Sequence, residues 1–342
     1  MKVLVTGGCG FLGSHVCEMY RNRGDEVVCV DNMTKYEFSR SPYNVELARN
    51  YNWEYLKSIG VQLYKEDIRN REMLYQIAKG CDFIVHTAAQ PAMTIAIENP
   101  ELDFSTNVIG TYNVLETARK YDIPVVSCST IHVYGNKINE KLKEGEKRFI
   151  CTPETISESS PTLHGDVTPL HASKRTTEIY VDCFVDTYGV KAASFRLTGM
   201  YGPRQIGSED HGWVANFAIK TVLGTQIKVY GPDKQVRDIL YAKDAAEAFD
   251  AFYRRQVPGT YNVGGGTKNI ISLREALEIL SEITGKKQDI KYEPPRKGDL
   301  WYFVCDITKV KEKLNWEPKV SNYDGLKALV NWISENIVLF RR

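Results

Sequence analysis

Gly7, Gly8, Gly10 and Gly13 fall in the stretch VLVTGGCGFLGSHV, between a β-branched run and an apolar-periodic one. Their spacing satisfies both G-x-G-x-x-G and G-x-x-G-x-x-G, which permits a tight turn and close backbone approach to a pyrophosphate at a helix N-terminus. Asp31 follows at the end of the next apolar run, near the ~20-residue interval at which a carboxylate binds ribose hydroxyls. Its charge opposes a 2′-phosphate, so the pattern favours NAD over NADP. A plain glycine turn followed by a turn aspartate is the competing reading. Thr130 and His132 stand together in STIHVYG. The hydroxyl can relay or orient a proton; the imidazole, with an ordinary pKa of about 6.5, suits proton transfer near neutrality. In PLHASK, Lys174 comes one helical turn after Leu170, so the two share a helix face. His171 points about 100° around that helix from Leu170. Arg237 and Arg296 carry forks that match phosphate oxygens, and Asp299 a carboxylate that accepts from hydroxyls. An ion pair between Arg237 and Asp238 is the alternative for the first, and a surface turn for the other two. His15 reads as structural, while His164 and His211 ride on turn-rich segments.

The elements that must position these groups alternate in the first half of the chain. Strand-like runs cover Lys2–Thr6, Glu26–Asp31, Val61–Tyr64, Asp82–Thr87, Pro124–Ser127 and Lys191–Leu197, with helical patterns such as Leu12–Arg23 and Phe104–Tyr121 between them. This alternation predicts an α/β fold, a Rossmann-type doubly wound parallel sheet. Strands with little polar alternation fit burial on both faces. After Gly199, Pro/Gly-rich turns separate short elements, including helical patterns at Leu273–Thr284 and Tyr323–Glu335. We read residues 1–197 plus 235–263 as an NAD-binding unit and 198–234 plus 264–342 as a smaller lobe, the chain re-entering the sheet within 235–263. Residues 136–168 are charged and rich in turn residues, and read either as a surface loop or as a flap over a substrate.

The 342 residues are 43% hydrophobic and 25% charged, with net charge +1. That balance gives no electrostatic case for nucleic acid or an anionic membrane. No apolar run approaches the ~18 residues of a membrane span, and the start shows no secretory pattern. Eight cysteines are scattered without C-x-x-C pairs. A disulfide framework or metal site is not expected, and the setting is expected to be cytoplasmic.

With that start, the stretches YKEDIRN, VHTAAQP, NVIGTYNVLE, STIHVYG and PLHASK arrive in a familiar order. The chain resembles the extended short-chain dehydrogenase/reductase family, the nucleotide-sugar epimerases and dehydratases, over essentially its full length. Within that family it is most similar to the CDP-paratose (CDP-tyvelose) 2-epimerases, through AAQPAMTIAIENPELDFSTNV, FRLTGMYGPRQ, EDHGWVANF and DKQVRDIL. The resemblance implies bound NAD and a nucleotide-sugar substrate. It implies that Gly7, Gly10, Gly13, Phe11 and Leu12 approach the pyrophosphate, that Asp31 and Asn32 hold the adenosine ribose, and that Asp67 and Ile68 border adenine. Ala88, Ala89, Gln90, Asn107 and Ser127 would lie beside the cofactor, and Lys174 would grip the nicotinamide ribose. On the substrate side it implies Gln90, Met93, Thr130, Gly199 and Arg204 near the sugar or phosphates. Trp213, Asn216 and Lys228 would lie near the nucleobase, Arg237 on the diphosphate, and Arg296 with Asp299 on the nucleotide ribose or phosphate.

Enzymes of this kind commonly keep a tyrosine base where this chain has Leu170. His132, relayed through Thr130, is the expected replacement, with His171 as second choice. The implied reaction is transient oxidation of a sugar carbon, C2 of a CDP- or other NDP-hexose, followed by return of hydride to the other face. A UDP-sugar 4-epimerase would use the same cycle at another carbon. A 4,6-dehydratase needs an Asp-Glu pair after the threonine, and Ile131 and His132 stand there instead. A non-catalytic NAD-binding protein is the rival suggested by Leu170 itself. Related enzymes pair through two helices, here Phe104–Tyr121 and Leu170–Tyr188. The resemblance implies a homodimer; for their extra apolar residues (Ile109, Val114, Leu115, Ile179, Phe184 and Val185), burial within one chain against the sheet is the alternative reading.

Overall fold

The structure, a computed structural model, describes residues 1–34 and 43–341. Seven strands form one parallel sheet: β1 (Lys2–Thr6), β2 (Glu26–Val30), β3 (Gln62–Tyr64), β4 (Phe83–His86), β5 (Val125–Thr130), β6 (Ala192–Leu197) and β7 (Gly259–Val263), in the order β7-β6-β5-β4-β1-β2-β3. The strands lack polar alternation because both faces are covered. Val3, Val5 and Phe83 point to one side, where they meet Val16, Tyr20, Phe249 and Phe252 of α1 (Phe11–Asn22) and α7 (Ala242–Arg255). Leu4, Val28 and Ile84 point to the other, against Leu74, Leu115 and Phe184 of α3 (Arg71–Ala78), α4 (Gly110–Tyr121) and α5 (Pro169–Tyr188). Strand order reverses beside β1, so the carboxyl ends of β1 and β4 open a crevice where ligands of such sheets bind.

A second lobe packs α6 (Trp213–Leu223), α8 (Leu273–Thr284) and α9 (Asn322–Glu335) around Phe217, Leu277 and Leu329. Within the expected re-entry span, only Gly259–Val263 joins the large sheet. Val236–Asp238 instead pairs with Ile270–Ser272 and Tyr302–Phe303. A parallel partner needs a long crossover, and the path from β6 to its partner β7 runs through the second lobe and ends with α7.

Residues 136–168 are not a flap. Ile156 bridges to Cys305 and packs with Leu300 and Phe303, and among the described residues none of this segment lines the central cavity. The helix expected over Phe104–Tyr121 begins as a wider π-helical stretch, Phe104–Ile109, before α4. Of the apolar residues read as surplus there and on α5, Val114, Leu115 and Phe184 are buried against the sheet, whereas Ile109 and Ile179 are exposed together with Phe104 and Tyr188. α5 starts at Pro169, where the missing N–H and fixed φ suit a first helical position. It ends at Gly189 with φ 70°.

Candidate active site

A cavity of about 490 Å³ runs from the glycine turn, past the carboxyl ends of the strands, into the second lobe. At its first end Gly7 has φ 69°, and a Cβ there would stand 2.6 Å from the Ala88 backbone. A Cβ on Gly13 would meet the Gly7 carbonyl oxygen at 2.3 Å. Side chains would therefore close the turn that lets backbone approach a ligand. Helix α1 begins after Gly10 with no side-chain cap, and Phe11 and Leu12 of its first turn line the cavity. Uncapped N–H groups and the helix dipole make this end an anion cradle. Asp31 is fixed by the N–H groups of Cys9 at 2.9 Å and Met33 at 2.8 Å. Its carboxylate keeps lone pairs for ribose hydroxyls. Asn32, Ile68, Ala88, Ala89 and Gln90 also line this end. These features fit NAD.

Three residues expected on the cofactor do not line the cavity. The Asp67 carboxylate is gripped by the Arg69 guanidinium, at 2.9 and 2.7 Å, and by Asn32. Asn107 accepts from the Gln90 N–H and donates to Asp103 and Ser173, so it pins Gln90 from behind. Ser127 lies three residues before the end of β5, about 10 Å short of it at the usual strand rise. Cys128 and Ser129 line the wall there instead.

At the centre, the Lys174 Nζ donates to the Cys128 carbonyl at 2.8 Å, and burial lowers its pKa. Leu170, one turn earlier, presents a hydrocarbon to the cavity. Thr130 and His132 line the same wall. The expected imidazole-to-hydroxyl relay is not formed: Thr130 Oγ1 accepts from the His132 backbone N–H at 3.3 Å. His132 Nδ1 is buried without a partner, and its ring lies nearly parallel to that of His171. Burial above all, then the charges of His171, Arg237 and His211, lower the His132 pKa to about 3. Its ring is therefore unprotonated at neutral pH. His171 does not line the cavity, because its Nδ1 turns back to accept from the Thr168 N–H. That contact removes it as the base in reach of a substrate.

Met93, after β4, lines the cavity, and so do Gly199, Trp213, Asn216, Lys228, Arg237, Arg296 and Asp299 farther along the chain. Arg237 forms no ion pair with Asp238, which accepts instead from Thr198 Oγ1 at 2.9 Å and the Gly266 N–H at 3.0 Å. Among the described residues the Arg237 guanidinium donates to the carbonyls of Val236 and Leu300, and the charges of Asp299 and Asp238 act on it without a hydrogen bond. Burial lowers its pKa to about 10, so it stays cationic. A buried guanidinium without a carboxylate on it is an anion receptor. The Arg296 guanidinium stacks over Tyr230, 3.8 Å from the ring centroid, and the Arg296 backbone N–H donates to the Asp299 carboxylate. Arg204 also borders the cavity, but its guanidinium is engaged by Glu18, Ser14 and His15, so it is tied to α1 rather than available to a sugar.

The sequence reading missed Glu209. Lys220, Lys228 and Tyr230 all donate to its carboxylate inside the cavity. Burial would raise its pKa, but the bonds from Lys220 and Tyr230 outweigh this and hold it at about 2. Its neighbour Trp213 in EDHGWVANF was the available signal.

Comparisons with known proteins agree with this geometry. The NAD dependent epimerase/dehydratase family model matches residues 3–264. The CDP-paratose 2-epimerase of Salmonella typhi is 32% identical, over 98% of this chain and 99% of its own length. The UDP-glucuronate 4-epimerase of Thermodesulfobacterium geofontis is 30% identical, over 99% and 98%. The solved structure of UDP-glucose 4-epimerase from Thermus thermophilus in complex with NAD has a TM-score of 0.79 at 32% identity, covering 98% of this chain and 99% of that one. A glycine cradle, a ribose carboxylate and full-length similarity lead to one conclusion: the chain is an NAD-dependent enzyme and belongs to the NAD dependent epimerase/dehydratase family.

Proposed function

We propose that the protein epimerises C2 of a CDP- or other NDP-hexose. The observation that carries the reading is the continuous cavity joining the NAD cradle to Arg237 and Arg296, with Ile131 and His132, rather than an Asp-Glu pair, following Thr130 in its wall. The full-length similarity to a CDP-paratose 2-epimerase supports the choice of carbon. The chemistry NAD supplies when bound is reversible oxidation of a carbinol, so a stereocentre can be lost and reset. The protein's own residues do the rest. Arg237 and Arg296 hold the diphosphate, Asp299 the ribose, and His132 accepts the hydroxyl proton, with Thr130 orienting that hydroxyl. Lys174 holds the nicotinamide ribose. Residues 1–197 and 235–263 would serve the cofactor, and 198–234 and 264–342 the substrate. Val236–Asp238 would be the exception, since it pairs within the smaller sheet.

Incubation with CDP- and UDP-hexoses in heavy water, followed by NMR, tests the reading. Inversion at C2 with protium retained there is expected. Deuterium at the inverted carbon, or an untouched panel, overturns it. A 4-epimer or a keto-deoxy sugar transfers the protein to the 4-epimerases or the dehydratases.

Two variants probe the grips. Arg237→Met should weaken binding of CDP or UDP about tenfold to a hundredfold, because a charged partner of the diphosphate is removed. Titration calorimetry reads this, and unchanged affinity would move the diphosphate elsewhere. Lys174→Met should lower NAD retained through gel filtration and lower turnover as well. Full retention would sink the ribose role.

The reading includes a homodimer and a cytoplasmic setting. Phe104, Ile109, Ile179 and Tyr188 leave apolar surface on the π-helical stretch and α5, and cysteines that form no disulfide among the described residues suit a reducing compartment.

A further inference from the structure

We infer that His171 is a positioning residue, whose neutral ring face stabilises the proton taken up by His132. The inference rests on His132 being the proton acceptor. The two rings have centroids 5.8 Å apart and planes 17° from parallel. The Thr168 N–H donates to His171 Nδ1 at 3.1 Å. That bond occupies the Nδ1 lone pair, so neutral His171 carries its hydrogen on Nε2. A second proton would have to displace the Thr168 bond, and burial also disfavours the cation. His171 is 1% exposed and does not line the cavity. His132 lines it, with Nδ1 unoccupied.

The pair is thus asymmetric. One ring can take a proton from a substrate hydroxyl, and the other is held neutral beside it. When the proton moves from the sugar oxygen to a His132 ring nitrogen, the new cation lies within ~6 Å of an aromatic face, the range of a cation–π contact. The groups whose positive charge opposes a cation on His132 are His171, Arg237 and His211, and His171 does so only when it is itself protonated. Asp166, through a backbone hydrogen bond and its charge, favours a charged His171, and burial outweighs it. Leu170 offers nothing polar in compensation. A neutral His171 adds attraction where a charged one would add repulsion, and the Thr168 bond selects the neutral form.

Two variants of the NAD-loaded, full-length protein separate the ring from the cap. His171→Gln keeps a side-chain acceptor for the Thr168 N–H, as glutamine does at the third helical position, but removes the ring. His171→Phe keeps an aromatic face and removes the acceptor. Both are assayed on whichever CDP- or UDP-hexose the wild type turns over, with the melting temperature recorded. The Gln variant is expected to lose about tenfold in kcat with KM unchanged and a melting temperature near wild type. The Phe variant is expected to recover most of that kcat while melting lower. A Gln variant with wild-type kcat, or a Phe variant no faster than Gln, overturns the inference and leaves the epimerase reading standing. A wild type inert on the whole panel, or a fully active His132→Ala, removes the reading beneath it and the inference together.

Discussion

His132→Ala is expected to lower turnover about 10²- to 10⁴-fold, the range of a positioned general base, while leaving NAD bound. The other groups on that wall cannot replace it. Leu170 is a hydrocarbon. The Cys128 thiol is pushed up to about 12 by burial, and the Lys174 ammonium, a donor to the Cys128 carbonyl, has no lone pair to offer. The Thr130 hydroxyl already accepts from the His132 backbone and is a poor terminal base. His132 is unprotonated at neutral pH, and its burial, with the fields of His171, Arg237 and His211, makes it weakly basic. A diphosphate on Arg237 would cancel part of that field and raise the basicity of the imidazole when substrate is present. The measurement is kcat on the active nucleotide hexose together with NAD content. Near-wild-type turnover with NAD retained would show that the proton goes elsewhere.

Acid should destabilise the fold well above the pH at which carboxylates protonate. Burial holds His15, His86 and His132 at about 3 in the folded chain, against about 6.5 when unfolded. His86, for example, lies fully buried between the hydroxyls of Thr6 and Thr111. Below pH 6.5 the unfolded chain therefore binds more protons than the native one, and stability falls as pH falls. Three such groups give a slope on the order of 4 kcal/mol per pH unit. Asp238 works the other way. Burial raises it to about 6, so below that pH the native state takes up a proton first and offsets one of the three. Glu18, Asp67 and Glu209, held at about 2, add to the loss only below about pH 4.5. Since a domain has ~5–15 kcal/mol in total, the urea midpoint should drop sharply between pH 7.5 and 5.5. A flat midpoint over that interval would contradict the neutral buried histidines.

The sequence by itself determined the parallel sheet, the glycine turn and the carboxylate at the end of β2. Each depends on neighbours in the chain: β-branched runs, a glycine spacing and an interval of about twenty residues are local quantities. It also identified the family, and with it most of the residues lining the cavity. Tertiary structure alone decided which way several of them face and what they touch. Asn107, Asp67 and Arg204 have suitable types at suitable positions, yet Gln90, Arg69 and Glu18 take up their polar atoms. Ser127 and Thr130 lie on one strand, but only the end of that strand reaches the crevice. Lys220, Lys228 and Tyr230 converge on Glu209 from a helix and a strand that no spacing rule connects. The parallel rings of His132 and His171 belong to the same class, since β5 and α5 must first pack before the two can meet. A side chain's partner across the fold is fixed by packing between elements, and periodicity along one element carries no information about it.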